Sequence, residues 1–365
     1  MSIELIISLV KANIVLAVLL TNTILLIWFE RKVVAGMQSR VGPDRAGPFG
    51  ILQTLADAIK LLLKEQILPL KADRAMYLLA PLIALVPSFL IFMIIPLGPD
   101  ITVEWQNALY TIPLVGADLN VGVLYFLALS SIAVYSVVLA GWSSGSKYPL
   151  LGGVRASAQM ISYEAAMGLA LVPVILYSGS LSLVDIVNSQ SGNLSSSIPI
   201  LNTIVSFIPK WNIFPQFVAF GIFFIAAVAE VNRAPFDLVE AEQELVGGFH
   251  TEYSGFRFAM FFLAEYINMF NMCAITATFF LGGWLGPTFE GILPPIFSVI
   301  MPIIWLGVKT FLLLFVFVWI RATLPRLRYD QLMELGWKRM IPLSLVWLII
   351  SAIVLGLREF GLPWS

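Results

Sequence analysis

Eight stretches of this chain stay apolar for about twenty residues each, which leaves few folds open to it. Hydrocarbon offers no water to backbone N–H and C=O groups, so a spanning segment has to close its own hydrogen bonds as a helix. The stretches fall at roughly 6–29, 76–97, 119–140, 156–178, 214–232, 257–282, 297–320 and 340–357. Hydrophobic residues make up 59% of the chain and charged residues 12%, against about 45–50% and about 25% in soluble domains. The expectation is an all-α polytopic membrane protein of about eight transmembrane helices, one continuous domain over residues 1–365 with no internal repeat. The first run ends in WFERK with no small-residue cleavage site, and reads as a retained helix rather than a removable leader.

Composition removes several function classes. A net charge of −1 argues against a nucleic-acid partner. A lone Cys273 forbids an internal disulfide or a cysteine-held iron–sulfur cluster. A lone His250 likewise forbids bis-histidine haem. No glycine-rich dinucleotide loop stands in a strand–helix setting. If redox chemistry occurs, another subunit carries the electrons. Cys273 reads as packing, and His250 as a loop hydrogen-bonder.

Lysine and arginine set the orientation. Loop 30–75 carries eight of them and loop 321–339 five, with two in loop 141–155, whereas loops 98–118 and 283–296 carry none. Both termini are therefore expected outside, and loops 30–75, 141–155, 233–256 and 321–339 inside. The first inner loop holds its own helix, PFGILQTLADAIKLLLKE (48–65). Ile51, Leu52, Leu55, Ile59, Leu62 and Leu63 share one face; Asp57, Lys60 and Lys64 share the other. That pattern lies in the membrane interface as an anchor, or as a clamp on a cavity entrance.

The inner side also holds an unexpected amount of acid. AEVNRAPFDLVEAEQELVGGFHTEYS (229–254) contains Glu230, Asp237, Glu240, Glu242, Glu244 and Glu252, more than a quarter of the 22 acidic residues. Pro235, Phe236, Leu238, Leu245, Val246 and Phe249 interleave apolar anchors, and Gly247-Gly248 permits a tight turn. A solvated charge run fits that pattern poorly. Within the spans, Glu164, Glu230, Glu265 and Lys309 are expensive, about 2.5–3.5 kcal/mol each. Any one alone suits a structural hydrogen bond between helices. Four beside an acidic loop point to a proton path.

Four inner stretches carry a resemblance: ERKVVAGMQSRVGPDRAGPFGILQTLADAIKLLLKE (30–65), GWSSGSKYPLLGGVRASAQMISYE (141–164), NRAPFDLVEAEQELVGGFHTEYS (232–254) and WIRATLPRLRYDQLMELGW (319–337). Together, and in order over nearly the whole chain, they resemble the H subunits of bacterial NADH:quinone oxidoreductase, subunit 1 of mitochondrial respiratory complex I. The resemblance implies a subunit that binds no cofactor itself and forms a quinone access chamber, with quinone as substrate. It implies iron–sulfur clusters and flavin in partner subunits. Its implied partners are the peripheral-arm quinone-site and iron–sulfur subunits, and the small and antiporter-like membrane subunits.

On this resemblance Arg31, Arg40, Arg45, Asp57 and Lys60 belong to the chamber and its entrance. Glu164, Glu230, Asp237, Glu240, Glu242, Glu244, Glu252 and Glu265 belong to a proton relay. It also implies a bacterial plasma membrane, with an organelle inner membrane as the alternative. Two positions depart from the family pattern. Val239 stands where APFDLPEAE has proline, and Ser131 stands where some members have glutamate; the serine puts a relay through that helix in doubt. A hydrogenase-type or ferredoxin-linked complex, a cation/proton antiporter and an inert scaffold remain as alternatives.

Overall fold

The structure is a computed structural model that describes residues 3–105, 108–193, 209–237, 247–287 and 296–360. The fold is an all-α membrane bundle. Among the described residues seven helices are long and apolar enough to cross a bilayer, and an eighth apolar helix is shorter. In chain order they are α1 (Ile3–Met37), the surface helix α2 (Leu52–Leu63), α3 (Arg74–Met93), α4 (Gly122–Ser143) and α5 (Lys147–Ser178). A short α6 (Leu183–Ser189) precedes α7 (Phe217–Glu230), α8 (Gly255–Phe280) and α9 (Ile296–Thr323). Last come α10 (Tyr329–Glu334), a π-helical turn (Leu335–Met340) and α11 (Ile341–Phe360).

Several boundaries differ from the sequence expectation for physical reasons. Helix α1 does not stop at residue 29 but runs on to Met37, which puts Glu30 inside a helix wall. The 48–65 segment splits: only 52–63 is α-helix, preceded by a tight turn over Pro48–Gly50. Gly50 sits at φ +77°, and a Cβ there would lie 2.2 Å from the Pro43 carbonyl oxygen, so no other residue fits. Helix α7 has 14 residues, about 21 Å at 1.5 Å per residue, short of the roughly 30 Å hydrocarbon layer. Its outer part is replaced by the non-helical segment 209–216, which contains Pro209 and Pro215. The outer segment 98–118 is not purely coil: β1 (Ile101–Trp105) pairs antiparallel with β2 (Ala108–Ile112), Ile101 opposite Ile112.

Helix α8 is the most buried span and packs on α3 and α9; α4 packs on α3 and α5, and α5 on α7 and α11. Tyr163, Met167, Phe126 and Phe223 are fully buried where these helices meet. The four loops assigned to the inner side gather at one end of the bundle. The Ile67 N–H donates to Ser254 Oγ at 2.9 Å, Asp73 N–H to the Ser143 carbonyl at 3.0 Å, and Leu327 N–H to the Pro235 carbonyl at 3.1 Å. On α5, a Cβ at Gly152 would come 2.7 Å from Gly248 Cα, so this glycine lets the loop before α8 lie directly on α5.

At the opposite end, α8 stops inside the protein, and each of its last four carbonyls needs a donor. Leu281 and Gly283 N–H groups serve Ala277, Gln190 Nε2 serves Thr278, Asn212 Nδ2 serves Phe279, and Ile213 N–H serves Phe280. Lys309 completes the cap. Its ammonium donates to the carbonyls of Leu281 at 2.6 Å, Gly283 at 3.0 Å and Leu285, and it lies 4.3 Å from the centre of the Trp211 ring. A cation at a helix C-terminus is the favoured sign. The structure thus gives this span lysine a capping job. Lys309→Met, which orphans three carbonyls, is expected to cost about 2 kcal/mol or more, read as a lowered thermal midpoint of the purified protein. An unchanged midpoint would remove the capping role.

Candidate functional site

The inner half of the bundle contains a row of charges that begins at α1. Glu30 is 6% exposed and Arg233, just after α7, is 5% exposed. Arg233 Nη1 lies 3.3 Å from Glu30 Oε1, and Arg233 Nε lies 2.8 Å from Glu265 Oε1 on α8. Arg321 on α9 also pairs with Glu30. The Arg233 guanidinium stacks over Tyr266, 4.5 Å from the ring centre. Two arginines and two carboxylates from α1, α8, α9 and the post-α7 segment therefore neutralise one another where water is scarce. Loose pairing there would be too costly to persist.

Next to this cluster lies a cavity of about 70 Å³, enough for water. Glu230, Glu265, His250, Ser136, Asn232 and Asn268 supply its polar wall. Glu230 is 7% exposed. Its Oε1 accepts from Ser130 Oγ at 3.1 Å, while Oε2 has no hydrogen-bond partner among the described residues. One residue along α4, Ser131 Oγ donates to Glu164. Consecutive serines thus face the two carboxylates, and Glu164 is near enough for its charge to act on Glu230. Glu164 itself is half-buried and opens onto a lateral groove lined by Leu127, Ile161, Ala165 and Gly168.

The segment after α7 is held by Gln159, fully buried on α5, whose Nε2 donates to the carbonyls of Ala229 at 2.9 Å and Phe236 at 2.8 Å. Asn232 at φ +52° turns the chain out of the helix. Asp237 is buried and pairs with Arg326 at 3.3 Å. The loop before α8 is pinned to α3. Tyr253 stacks on Tyr77 at 4.1 Å and donates to its carbonyl, and Tyr77 donates to the Glu252 carbonyl at 2.7 Å. Burial pushes the Tyr253 phenol up to about 12, so it remains a donor. His250 is not the loop hydrogen-bonder expected. Neither ring nitrogen has a hydrogen-bond partner among the described residues, and the ring sits among Phe249, Phe258 and Phe262 at 5.0, 5.4 and 6.2 Å. Burial pushes its imidazole down to about 4, against the pull of the Asp237 carboxylate.

At the surface helix, Arg31 and Asp57 meet at 2.6 Å and clip α2 to α1; Trp28 Nε1 donates to the Phe49 carbonyl at 2.8 Å. Lys60 and Arg45 are exposed and have no ionic partner among the described residues; the Arg40 side chain donates from Nε to Gln38 Oε1 at 2.7 Å. Leu52, Leu55, Ile59, Leu62 and Leu63 are exposed, so the apolar face of α2 is left uncovered by protein. Glu240, Glu242 and Glu244, with Val239, lie outside the described residues. Among the described residues no group of three or more His, Cys, Asp or Glu is arranged to hold a metal.

A family model described as NADH dehydrogenase matches residues 10–352. The chain belongs to the NADH dehydrogenase family. A Koribacter versatilis protein, named as a second H subunit of NADH-quinone oxidoreductase, is 47% identical over 362 residues, 97% of this chain and 98% of its own length. A Ralstonia nicotianae protein, named as the H subunit of NADH-quinone oxidoreductase, is 50% identical over 346 residues, 95% of this chain and 91% of its own. A Frankia casuarinae protein of the same name is 52% identical over 346 residues, covering 94% and 72% respectively. The resemblance read from the four inner stretches is borne out. In this member of the NADH dehydrogenase family, Glu164 and Glu230 meet consecutive serines of α4, Glu265 is tied to Arg233, and Arg31 is tied to Asp57. Sequence reasoning passed over Glu30, Arg321 and Ser130. The available signal was the single Glu of WFERK, adjoining a span that needed only two more helical turns.

Proposed function

We propose that the chain is a membrane subunit of a proton-translocating NADH–quinone oxidoreductase in a bacterial plasma membrane, with its N-terminus outside. It shapes the quinone access chamber and passes the response to quinone reduction along its carboxylates. The names of the relatives support the complex; the carboxylate row supports the coupling. The observation that carries the reading is Glu230, a buried carboxylate that lines a cavity and has one oxygen without a hydrogen-bond partner among the described residues. It stands between a neutralised ionic cluster and Glu164.

A carboxylate paired with arginine stays ionised, so Glu30 and Glu265 respond to charge by shifting their arginines. Among the described residues Glu230 and Glu164 have hydroxyl partners and no arginine, so they take up and release protons. Glu164 borders a lateral groove that cannot profitably face lipid tails. A neighbouring membrane subunit covers it and receives the proton. Helix α2, with its bare apolar face and the Arg31–Asp57 clip, frames the quinone entrance. Electrons reach the quinone from iron–sulfur clusters and flavin in the peripheral-arm subunits, with NADH as donor.

A photoreactive quinone added to the intact complex tests this. Crosslinks are expected within α1 and α2, between residues 6 and 65. Quinone-protectable label that bypasses this chain altogether would overturn the chamber reading and favour a quinone-free, hydrogenase-type complex.

A further inference from the structure

We propose that His250 is a proton-transfer residue linking the Glu230 cavity to the inner acidic loop at Asp237. The proposal rests on the proton-path reading above and names a step within it. Three observations carry it. His250 lines the same cavity as Glu230 and Glu265. The Asp237 carboxylate is near enough for its charge to act on the ring. Both ring nitrogens lack hydrogen-bond partners among the described residues, although the ring is packed against three phenylalanines. An imidazole kept only for packing gains nothing over phenylalanine in such a nest. One whose nitrogens are left open can accept on one side and donate on the other.

The groups facing the ring come from every element around the cavity. Glu230 ends α7, Glu265 and Asn268 lie on α8, Ser136 lies on α4, and Asp237 comes from the segment after α7. Ala84 of α3 and Met160 of α5 add no charge. Glu230 Oε2 and Asn268 Oδ1 are acceptors without donors among the described residues, so a water seated between them and the ring would be oriented by both.

The step conserves protons and moves no electrons. One ring nitrogen of the neutral imidazole takes a proton from the cavity, from water or from protonated Glu230. The imidazolium, stabilised by the ionised Asp237 carboxylate, then releases the proton on its other nitrogen to water on the inner side, and exchange of the ring tautomer resets it. Burial holds His250 neutral at rest, so the charged form is transient, and the aromatic nest blocks a bypassing water file.

The test uses the whole complex in sealed membrane vesicles, with His250→Phe to preserve the nest and His250→Asn to preserve polarity. Assembly is followed as NADH-to-ferricyanide activity, which does not need the quinone path. Both variants are expected to assemble and to lose at least about tenfold in quinone-dependent proton uptake, with partial recovery in millimolar imidazole. A purely structural role would give no rescue by imidazole. Glu230→Gln serves as the comparison. Full proton uptake in both His250 variants, with Glu230→Gln defective, overturns the proposal and leaves the path standing. Full uptake in Glu230→Gln as well overturns the path itself.

Discussion

Glu230→Gln is expected to leave the complex assembled while cutting quinone-coupled proton uptake by at least about tenfold, a cautious floor beneath the roughly hundredfold or more that a positioned proton donor contributes. The substitution is nearly isosteric, and the amide oxygen still accepts from Ser130 Oγ, now 3.1 Å from Glu230 Oε1. A neutral amide in a buried site is cheaper than a carboxylate, so no folding penalty is expected to obscure the result. What the amide cannot do is bind and release a proton. Glu230 is the position for this test because its second oxygen has no hydrogen-bond partner among the described residues and the residue lines the cavity. Proton uptake is read in vesicles with a pH-sensitive dye, at matched rates of NADH oxidation. A variant that pumps as many protons per electron as the parent would remove Glu230 from the relay.

The membrane character, the family and most of the carboxylates were legible in the sequence because each rests on residue identity and coarse spacing. Apolar runs demand helices, and the NRAPFDLVEAEQELVGGFHTEYS stretch carries its own resemblance. What escaped depended on where helices end. The first span was closed at residue 29 because ERK looked like a flank, yet α1 continues to Met37 and buries Glu30. Helix α7 ends at Glu230, short of the expected 232, since Asn232 at positive φ reverses the chain. The hairpin also had a signal: ITVEW and ALYTI alternate β-branched and aromatic residues around Gln106-Asn107.

Partner choice was harder still to read. Asp57 and Lys60 share one face of α2, one turn apart, but Asp57 is taken by Arg31 of α1. Ser131 seemed to weaken a relay through α4, yet it is the residue that meets Glu164, and Ser130 meets Glu230. A glutamate offers a second proton-binding group, whereas a hydroxyl offers a bridge that both donates and accepts. In this chain α4 therefore contributes hydroxyls to both carboxylates. Lys309 was read from its place inside a span, and the sequence could not show that its three donors go to carbonyls.

Arg233→Leu is expected to be the most damaging single change outside the proton-carrying positions. The guanidinium is all but inaccessible and serves Glu30 and Glu265 together while stacking on Tyr266. Removing one partner of a buried ionic group costs about 3–5 kcal/mol, a large share of the stability of any domain. Arg321 continues to pair with Glu30, so the uncompensated charge falls mainly on the Glu265 side. Lysine is a poor substitute, since one compact ammonium cannot span two carboxylates and lie flat on a ring. Arg233→Leu should therefore deplete assembled complex from the membrane, and Arg233→Lys should assemble with a lowered thermal midpoint. Neutralising the opposite charge discriminates a charge effect from lost packing. Arg233→Gln combined with Glu265→Gln should recover part of what Arg233→Gln alone loses, giving a coupling energy of the sign expected for a buried pair. Strictly additive losses would mean that Arg233 holds the helices together by shape, and that Glu265 is free to titrate independently of it.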